Sequence, residues 1–550
     1  MRRLDLWLAG LIVAAGSLSI VLILDATGYP YEVHRAWIFH YFLRHQDIAG
    51  WLFVMGIALV ALAPGRAPLG LVDVLSRRVW SCALIALGAM CLAAYLAARN
   101  HPLAGDEQLA IFQSRAFAAG HLTGELPPEL LFRLIPSQYQ WRWLVADEAT
   151  GRVASMYWPG FALMLAPFNW IGALWLCCPL LAGLSLVLMA RIAERVSGDR
   201  RAAGWALLFA AASPGFIGMA LSYFSMTAHL FLNLLYVWLL LERTPRRLVA
   251  AGVVGSLALV LNNPVPHLLF ALPWVLSIAR AADGRRDLAR LAAGYAPLAL
   301  MLGFGWWLFL RRLEGPLPMA LYPSDEDLLH RIGNLVWHLL LQFRTVFGLW
   351  EGAIISRALE QGRLWSWSAP GLVVLALGGW WLRRDLREAR LLGWSFAATV
   401  LGYLPVAFDQ GSGWGARYVH PAFGALPVLA ALALVHVADG GRLRAYVARA
   451  ALYSLVFANL LRFYQIRLFM DDQLSLEPPF EKGARQIVII VPNVAQYAQD
   501  FVLQNDPFLG APVVFMMSRG RAVDAQTVAR RLPGARLVYD GANGQVWRSD

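Results

Sequence analysis

The chain is 550 residues long, 59% hydrophobic and only 15% charged, with a mean hydropathy of +0.54. Soluble domains run at about 45–50% apolar and about 25% charged residues, so an ordinary water-soluble globular protein is excluded. The net charge of +12 does not mark a nucleic-acid partner: the basic residues are almost all Arg, with Lys482 the lone lysine, and they stand in small groups between apolar stretches, whereas a nucleic-acid footprint gathers on one face.

Met1-Arg2-Arg3 is followed by an apolar run longer than the roughly 7–15 residues of a signal-peptide core, which reads as a retained first helix. Apolar stretches long enough for transmembrane helices recur from there on. They predict thirteen spans, at 5–25, 48–65, 79–97, 172–192, 203–221, 226–242, 248–262, 266–281, 292–310, 369–383, 391–408, 418–437 and 445–462. Arginine groups at Arg2/Arg3, Arg66/Arg77/Arg78, Arg191–Arg201, Arg243–Arg247, Arg280–Arg290, Arg383–Arg390 and Arg442–Arg449 all fall on one side of that arrangement. By the positive-inside rule that side is the cytoplasm, placing the N-terminus inside and the C-terminus outside. The short, Pro-punctuated stretch 158–171 reads as an interfacial or re-entrant helix. The expected fold class is an all-α polytopic membrane protein, spanning 1–462, with a small extracytoplasmic α/β domain at 463–550.

Three regions then project outside. The first, 98–157, opens on Gly105-Asp106-Glu107-Gln108, continues as an amphipathic helix over 108–120, and carries a hairpin from Trp143 to Ser155 turning at Asp147–Gly151. The second, 311–368, is polar with aromatic interleaving, and a helix over 327–347 would set Arg331, His338 and Arg344 roughly on one face. The third is the tail, where 486–492 and 511–517 read as strands and 494–503 and 523–531 as helices. The four cysteines lie in apolar spans and form neither a disulfide framework nor a metal spacing.

An adjacent carboxylate pair at a membrane–water boundary suits proton removal better than packing. Asp106 or Glu107 could serve as a general base, which must reach the proton it takes. The bland alternative is that Asp106 caps the helix that follows it, and the two duties are compatible. A divalent cation near Asp106 is a further option, since Asp106, Glu107, Asp147, Glu148 and Asp409 are oxygen ligands of the right type; their spacing brings no set of them together, and no metal ligand is assigned.

Gly105–Ala110, followed by Arg115–Gly120 after an outward-running helix, resembles the first extracytoplasmic loop of the GT-C glycosyltransferases, the group of protein O-mannosyltransferases and aminoarabinose transferases. Met156–Pro167 is similar to that family's Tyr-Pro-Pro-Gly segment, with Trp158 in place of one proline. Ala212-Ser213-Pro214-Gly215 and Gly413–Pro421 resemble further stations of the same family. The likeness runs discontinuously over about 79–437, leaving the two N-terminal helices and the tail outside it. His229 stands where many relatives have an acidic residue, so no role is carried to it.

The resemblance implies an inverting transfer, outside the cytoplasm, of a sugar from a polyprenyl-phosphate donor to a hydroxyl on a glycan, lipid or protein acceptor. The departing lipid phosphate needs a cation, and Arg binds phosphate bidentately. Arg417, in a Gly-rich turn beside Tyr418, is the first choice, with Arg331 and Arg344 behind it; a snorkelling or solvated arginine is the plainer reading of each. Tyr157 and Trp158 offer a sugar-stacking platform or simply belong to the aromatic belt. Asn263 and His267, in the turn Asn262-Asn263-Pro264, would bind hydroxyls or close a helix-breaking turn, and His420 reads as structural. Neither a P-loop nor a strand-anchored GxGxxG is present in the sequence. A polyprenyl-lipid flippase and a non-catalytic envelope-assembly subunit are the rival readings, although transporters usually carry ionisable residues inside their spans. The Arg-heavy, Lys-poor composition suggests a GC-rich bacterial genome and hence the inner membrane.

Overall fold

The computed structural model describes residues 3–28, 38–65, 67–136, 139–140, 143–313, 353–406, 409–437, 441–492 and 498–549. It is a mostly helical bundle with two small sheets, one within 124–155 and one near the C-terminus within 486–548. Among the described residues four helices are long and apolar enough to cross a bilayer: Leu4–Thr27, Val79–Leu96, Leu174–Ser197 and Gly284–Leu313. Shorter apolar helices, among them Met226–Leu240, Val265–Ala279 and Leu372–Leu382, complete the bundle. Each of the thirteen expected spans meets a helix or a broken helix, but helix length alone does not fix how many cross. The bundle presents large apolar side chains outward, including Trp7, Leu84, Ile85 and Trp381. Such a surface is costly in water and at home in lipid.

The expected straight span 203–221 is instead two helices, Arg200–Ala211 and Pro214–Ala220, bent by 68°. Pro214 cannot supply the N–H that would continue the first helix. The groups freed at the bend are taken up by a distant segment: Gly215 N–H donates to the Trp367 carbonyl at 2.7 Å. Ala369 N–H donates to Ser213 Oγ at 2.9 Å. A polar backbone inside a bilayer is tolerated only where protein covers it in this way.

The 98–157 region contains a helix, Gly105–Ala118, and a three-stranded antiparallel sheet. Its strands are β1 (Gly124–Glu125), β2 (Leu144–Ala146) and β3 (Arg152–Ser155), in the order β1-β3-β2. The β2–β3 hairpin turns at Asp147, whose carboxylate accepts from Ala149 N–H and Thr150 Oγ1, so the expected turn is observed. The 158–171 stretch forms the helix Gly160–Trp170, whose first N–H groups donate to the carbonyls of Val260 and Leu261. Gly160 is required there because a Cβ would meet the Val260 carbonyl.

Near the C-terminus β4 (Gln486–Ile490) pairs in parallel with β5 (Val513–Met517) and antiparallel with β7 (Gly544–Arg548). β6 (Arg536–Gly541) pairs with β7 at the edge. The helix Arg521–Arg531 matches expectation, while the expected helix over 494–503 is a 3₁₀ turn, Ala498–Gln504, with 493–497 outside the described residues. The expected boundary at 462/463 falls inside the helix Asn459–Ser475. One hydrophobic core joins this sheet to the 98–157 region, with Leu109, Phe112 and Val153 packed in the same cluster as Ile487, Ile489 and Met516. A buried ion pair, Arg133–Asp524 at 2.7 Å, reinforces the contact.

Candidate functional site

The helix carrying the carboxylate pair begins at Gly105, with Ala104 in the N-cap position. Asp106 therefore lies inside the first turn and does not cap, which corrects the capping expectation. Successive helical residues point about 100° apart, so the two carboxylates diverge. Glu107 turns into the protein and is fully buried. One of its oxygens accepts from the N–H groups of Leu103 and Ala104, and the other from Tyr223 N–H at 2.6 Å. Burial raises this carboxyl to about 7, and the three N–H donors hold it back from rising further.

Asp106 turns the other way, toward a narrow cleft lined by Tyr157, Trp158, Phe224, Asn262 and Arg417 among others. Its Oδ1 accepts from the Tyr157 hydroxyl at 2.9 Å and its Oδ2 from Arg417 Nη2 at 2.6 Å. The Asp106 side chain keeps 27% of its surface exposed and that of Arg417 12%. Burial, and then the Asp106 charge, push the Tyr157 hydroxyl well above the usual phenol range, so it remains a donor. Burial alone would lower the Arg417 guanidinium, but Asp106, with Tyr418 and Tyr157, raises it above its ordinary value.

Arg417 is held by its own loop. Its N–H donates to Gln410 Oε1 at 3.0 Å, its Nη1 donates to the Ser412 carbonyl at 3.1 Å, and its guanidinium lies 4.3 Å over the Phe224 ring. Its Nε is buried without a hydrogen-bonding partner. Gly411, Gly413 and Gly415 all have positive φ, the conformation in which Gly carries no steric penalty, and that lets the loop fold back on itself.

Of the expected residues that the structure describes, it gathers Asp106, Tyr157 and Arg417, with Trp158 on the same cleft and Tyr418 beside Arg417, and sets Asn263 and His267 apart. Tyr418 stacks on Tyr403 with centroids 5.0 Å apart and donates to the Asp409 carbonyl. Asn263 accepts from Val265 N–H at a helix start, while its neighbour Asn262 reaches the cleft. His267 is buried in the bundle between Asn233 (2.7 Å) and Tyr295 (2.6 Å). Arg331 and Arg344, with the helix expected around them, lie outside the described residues. Among the described residues no three His, Cys, Asp or Glu side chains converge as a metal site. Both Asp106 oxygens and both Glu107 oxygens accept hydrogen bonds within the protein, and Glu148 lies at the exposed hairpin turn.

A buried ion cluster was not anticipated. Asp47, at the end of a π-helical turn Leu43–Asp47, meets Arg363 at 3.0 Å and Arg462 at 3.3 Å. Trp367 Nε1 donates to the same carboxylate. Arg363 Nη2 also donates to the Gly413 carbonyl at 3.0 Å, which ties the cluster to the loop of Arg417. On the same helix, Ala353–Ser366, Glu360 accepts from Gln410 N–H at 2.9 Å. The spacing of Arg357, Glu360 and Arg363, three residues apart in a stretch expected to be an outer loop, was the available signal for a charged helix face.

With this geometry in hand, the architecture has a solved counterpart. Two crystal structures of ArnT from Cupriavidus metallidurans, one bound to undecaprenyl phosphate and one in the apo state, superpose with a TM-score of 0.51. They cover 84% and 85% of this chain and 97% of theirs, at 12% identity. This chain has the ArnT fold. The likeness to GT-C transferases seen in the sequence thus holds at the level of architecture, including the multi-pass helical bundle. No protein-family model matches the sequence, and no curated protein matches it. The identity to ArnT is low enough that the shared fold carries no residue assignments, so the site rests on its own geometry.

Proposed function

We propose that this chain is an inverting glycosyltransferase that moves a sugar from a polyprenyl-phosphate donor to a hydroxyl acceptor on the extracytoplasmic face of a bacterial inner membrane. The observation that carries this reading is the Asp106–Arg417 pair at the lip of an aromatic-lined cleft. The acceptor oxygen attacks the anomeric carbon, the bond from that carbon to the phosphate oxygen breaks, and the phosphate leaves with the bonding electrons. Asp106 receives the acceptor proton. Tyr157 aims the carboxylate through one oxygen, leaving the lone pairs of the other shared with Arg417. Arg417, held at the cleft beside Asp106, is the cation for the departing phosphate. Glu107 is a positioning residue: it fastens the start of the Asp106 helix to the Tyr223 turn. Tyr418, Asn263 and His267 support the surrounding turns and helices.

The donor class is supported by the undecaprenyl phosphate bound in the ArnT crystal structure. The face follows from the arginine groups, and the small sheet at 486–548 belongs to that same face because it shares a core with the 98–157 region. The test is to incubate purified protein with radiolabelled polyprenyl-phosphate sugars and a membrane-lipid extract, alongside Asp106→Asn. Label transferred by the parent and not by the variant supports the reading. Equal transfer by both overturns the base assignment. Protein-dependent passage of labelled lipid across vesicles, with no transfer, would hand the function to a flippase.

A further inference from the structure

The helix that carries Asp106 is poorly equipped to start itself. The first N–H groups of any helix lack intrahelical partners, and Ala104 in the N-cap position has no side-chain oxygen to offer. Glu107 serves the N–H groups before the helix. The N–H of Gly105 is served from elsewhere: Asp500 Oδ2 accepts it at 2.7 Å, across 395 residues of sequence. The other oxygen, Asp500 Oδ1, accepts from the Tyr139 hydroxyl at 2.7 Å. Asp500 is 5% exposed and lies in the 3₁₀ turn Ala498–Gln504 beside the C-terminal sheet.

We propose that Asp500, acting with Tyr139 and Gly105, is a positioning residue that sets the Asp106 carboxylate for transfer. The proposal rests on the transferase reading above. A carboxylate at a helix N-terminus is favoured by the helix dipole as well as by the hydrogen bond. Gly105 is part of the device, because a Cβ there would collide with the Tyr139 hydroxyl that orients Asp500. Further ties hold the two regions in fixed relation: Arg115 Nη1 donates to the Gln504 carbonyl at 3.0 Å and Glu125 N–H to the Pro507 carbonyl at 2.8 Å. The residue that Asp500 grips directly precedes Asp106 in the chain. Asp106 is therefore seated between two anchors, Asp500 before it and Glu107 after it, and any shift of Gly105 passes to the 2.6 and 2.9 Å contacts with Arg417 and Tyr157. The C-terminal segment thereby acquires a task in the chemistry without touching the substrate.

The experiment compares full-length parent, Asp500→Ala, Asp500→Asn and Tyr139→Phe in detergent, using the polyprenyl-phosphate sugar on which the parent is active. Asp500→Ala should lower kcat by roughly 10- to 100-fold, the scale of a misplaced catalytic group, while the donor KM stays within about twofold. Amide exchange should quicken at Gly105–Gln108 and not through the rest of the bundle. Asp500→Asn, which keeps an oxygen for the Gly105 N–H, should recover most of kcat, and Tyr139→Phe should fall between. An Asp500→Ala protein with parental kcat, or one whose loss follows exchange rising throughout the bundle, overturns the positioning role. A parent that transfers no sugar overturns the transferase reading itself, and that outcome is distinct because it precedes any difference among the variants.

Discussion

Asp106 meets Arg417 at the lip of an open cleft, whereas Asp47 meets Arg363 and Arg462 at a point where Asp47 and Arg363 expose no side-chain surface. Both are carboxylate–guanidinium constellations, and both guanidinium sets lie over aromatic rings. Arg417 sits over Phe224, Arg363 is 5.0 Å from the Phe42 centroid, and Arg462 is 4.0 Å from that of Trp367. The buried cluster carries two cations on one anion, and its excess charge is shared among ring faces, carbonyls and amides. Such a cluster is fixed, because removing any partner strands a charge away from water. The cleft pair keeps access to solvent, so it can exchange contacts with an incoming molecule. Accessibility, more than residue type, separates the constellation fit for chemistry from the one fit for architecture.

The contrast can be broken most directly at Asp106. Asp106→Asn should lower transfer by about 10²- to 10⁴-fold, the usual worth of a positioned base, with an unchanged melting temperature; a radiolabelled transfer assay and a thermal melt decide it. Arg417→Gln should cost about 10²- to 10³-fold, comparable to losing one donor to a developing anion, and should also weaken retention of undecaprenyl phosphate in a flotation assay. Asp47→Asn should do the reverse. It should lose about 3–5 kcal/mol of stability by unpairing two buried arginines, and the molecules that remain folded should transfer at the parental rate. A well-folded Asp47→Asn protein without activity would join the cluster to the chemistry and dissolve the distinction. Tyr157→Phe should slow transfer roughly tenfold, as expected for one hydrogen bond to a charged group, with donor KM little changed.

The smallest effect concerns Glu107, the carboxyl beside Asp106 that behaves as a buried one. Its value rises from 4.5 to about 7 in the folded chain. Between those values the folded chain holds a proton that the unfolded chain has released. That contribution to stability is complete below about pH 4.5 and lost as pH climbs through about 7. The melting temperature of the parent, measured relative to Glu107→Gln, should accordingly fall over that window. A gap that stays flat with pH would place Glu107 among ordinary carboxylates.

Much of this was readable beforehand where the signal is local. The helical bundle follows from apolar runs, the β2–β3 hairpin from Asp147–Gly151, and Asp106 with Arg417 from short motifs 311 residues apart that the fold brings into contact. The divergence of Asp106 and Glu107 follows from the 100° step of the helix, and it separates one accessible carboxylate from one buried. What escaped depends on contacts between distant segments. Asp47, Arg363 and Arg462 sit in different helices with no shared pattern, and Asp500 lies in a stretch that reads as a helix of the tail with nothing to mark its distant partner. The bend at Ser213 is signalled by Pro214, but the contacts that hold it come from Trp367, Ser454 and Asn459 in distant segments.

That bend also constrains how the protein is made. Of the backbone groups exposed between Ala211 and Gly215, the Gly215 N–H is covered by Trp367, and the Ala212 and Ala211 carbonyls by Ser454 and Asn459, 242 and 248 residues further along the chain. At about 5–20 residues per second, the ribosome delivers the last of that cover roughly 10–50 s after the bent pair emerges. Until then the pair cannot rest in lipid without unpaired polar groups, each worth several kcal/mol there. Biogenesis must shelter it in the interim, so a nascent chain stopped before Ser454 should remain crosslinked to the insertion machinery and be freed once Asn459 has followed.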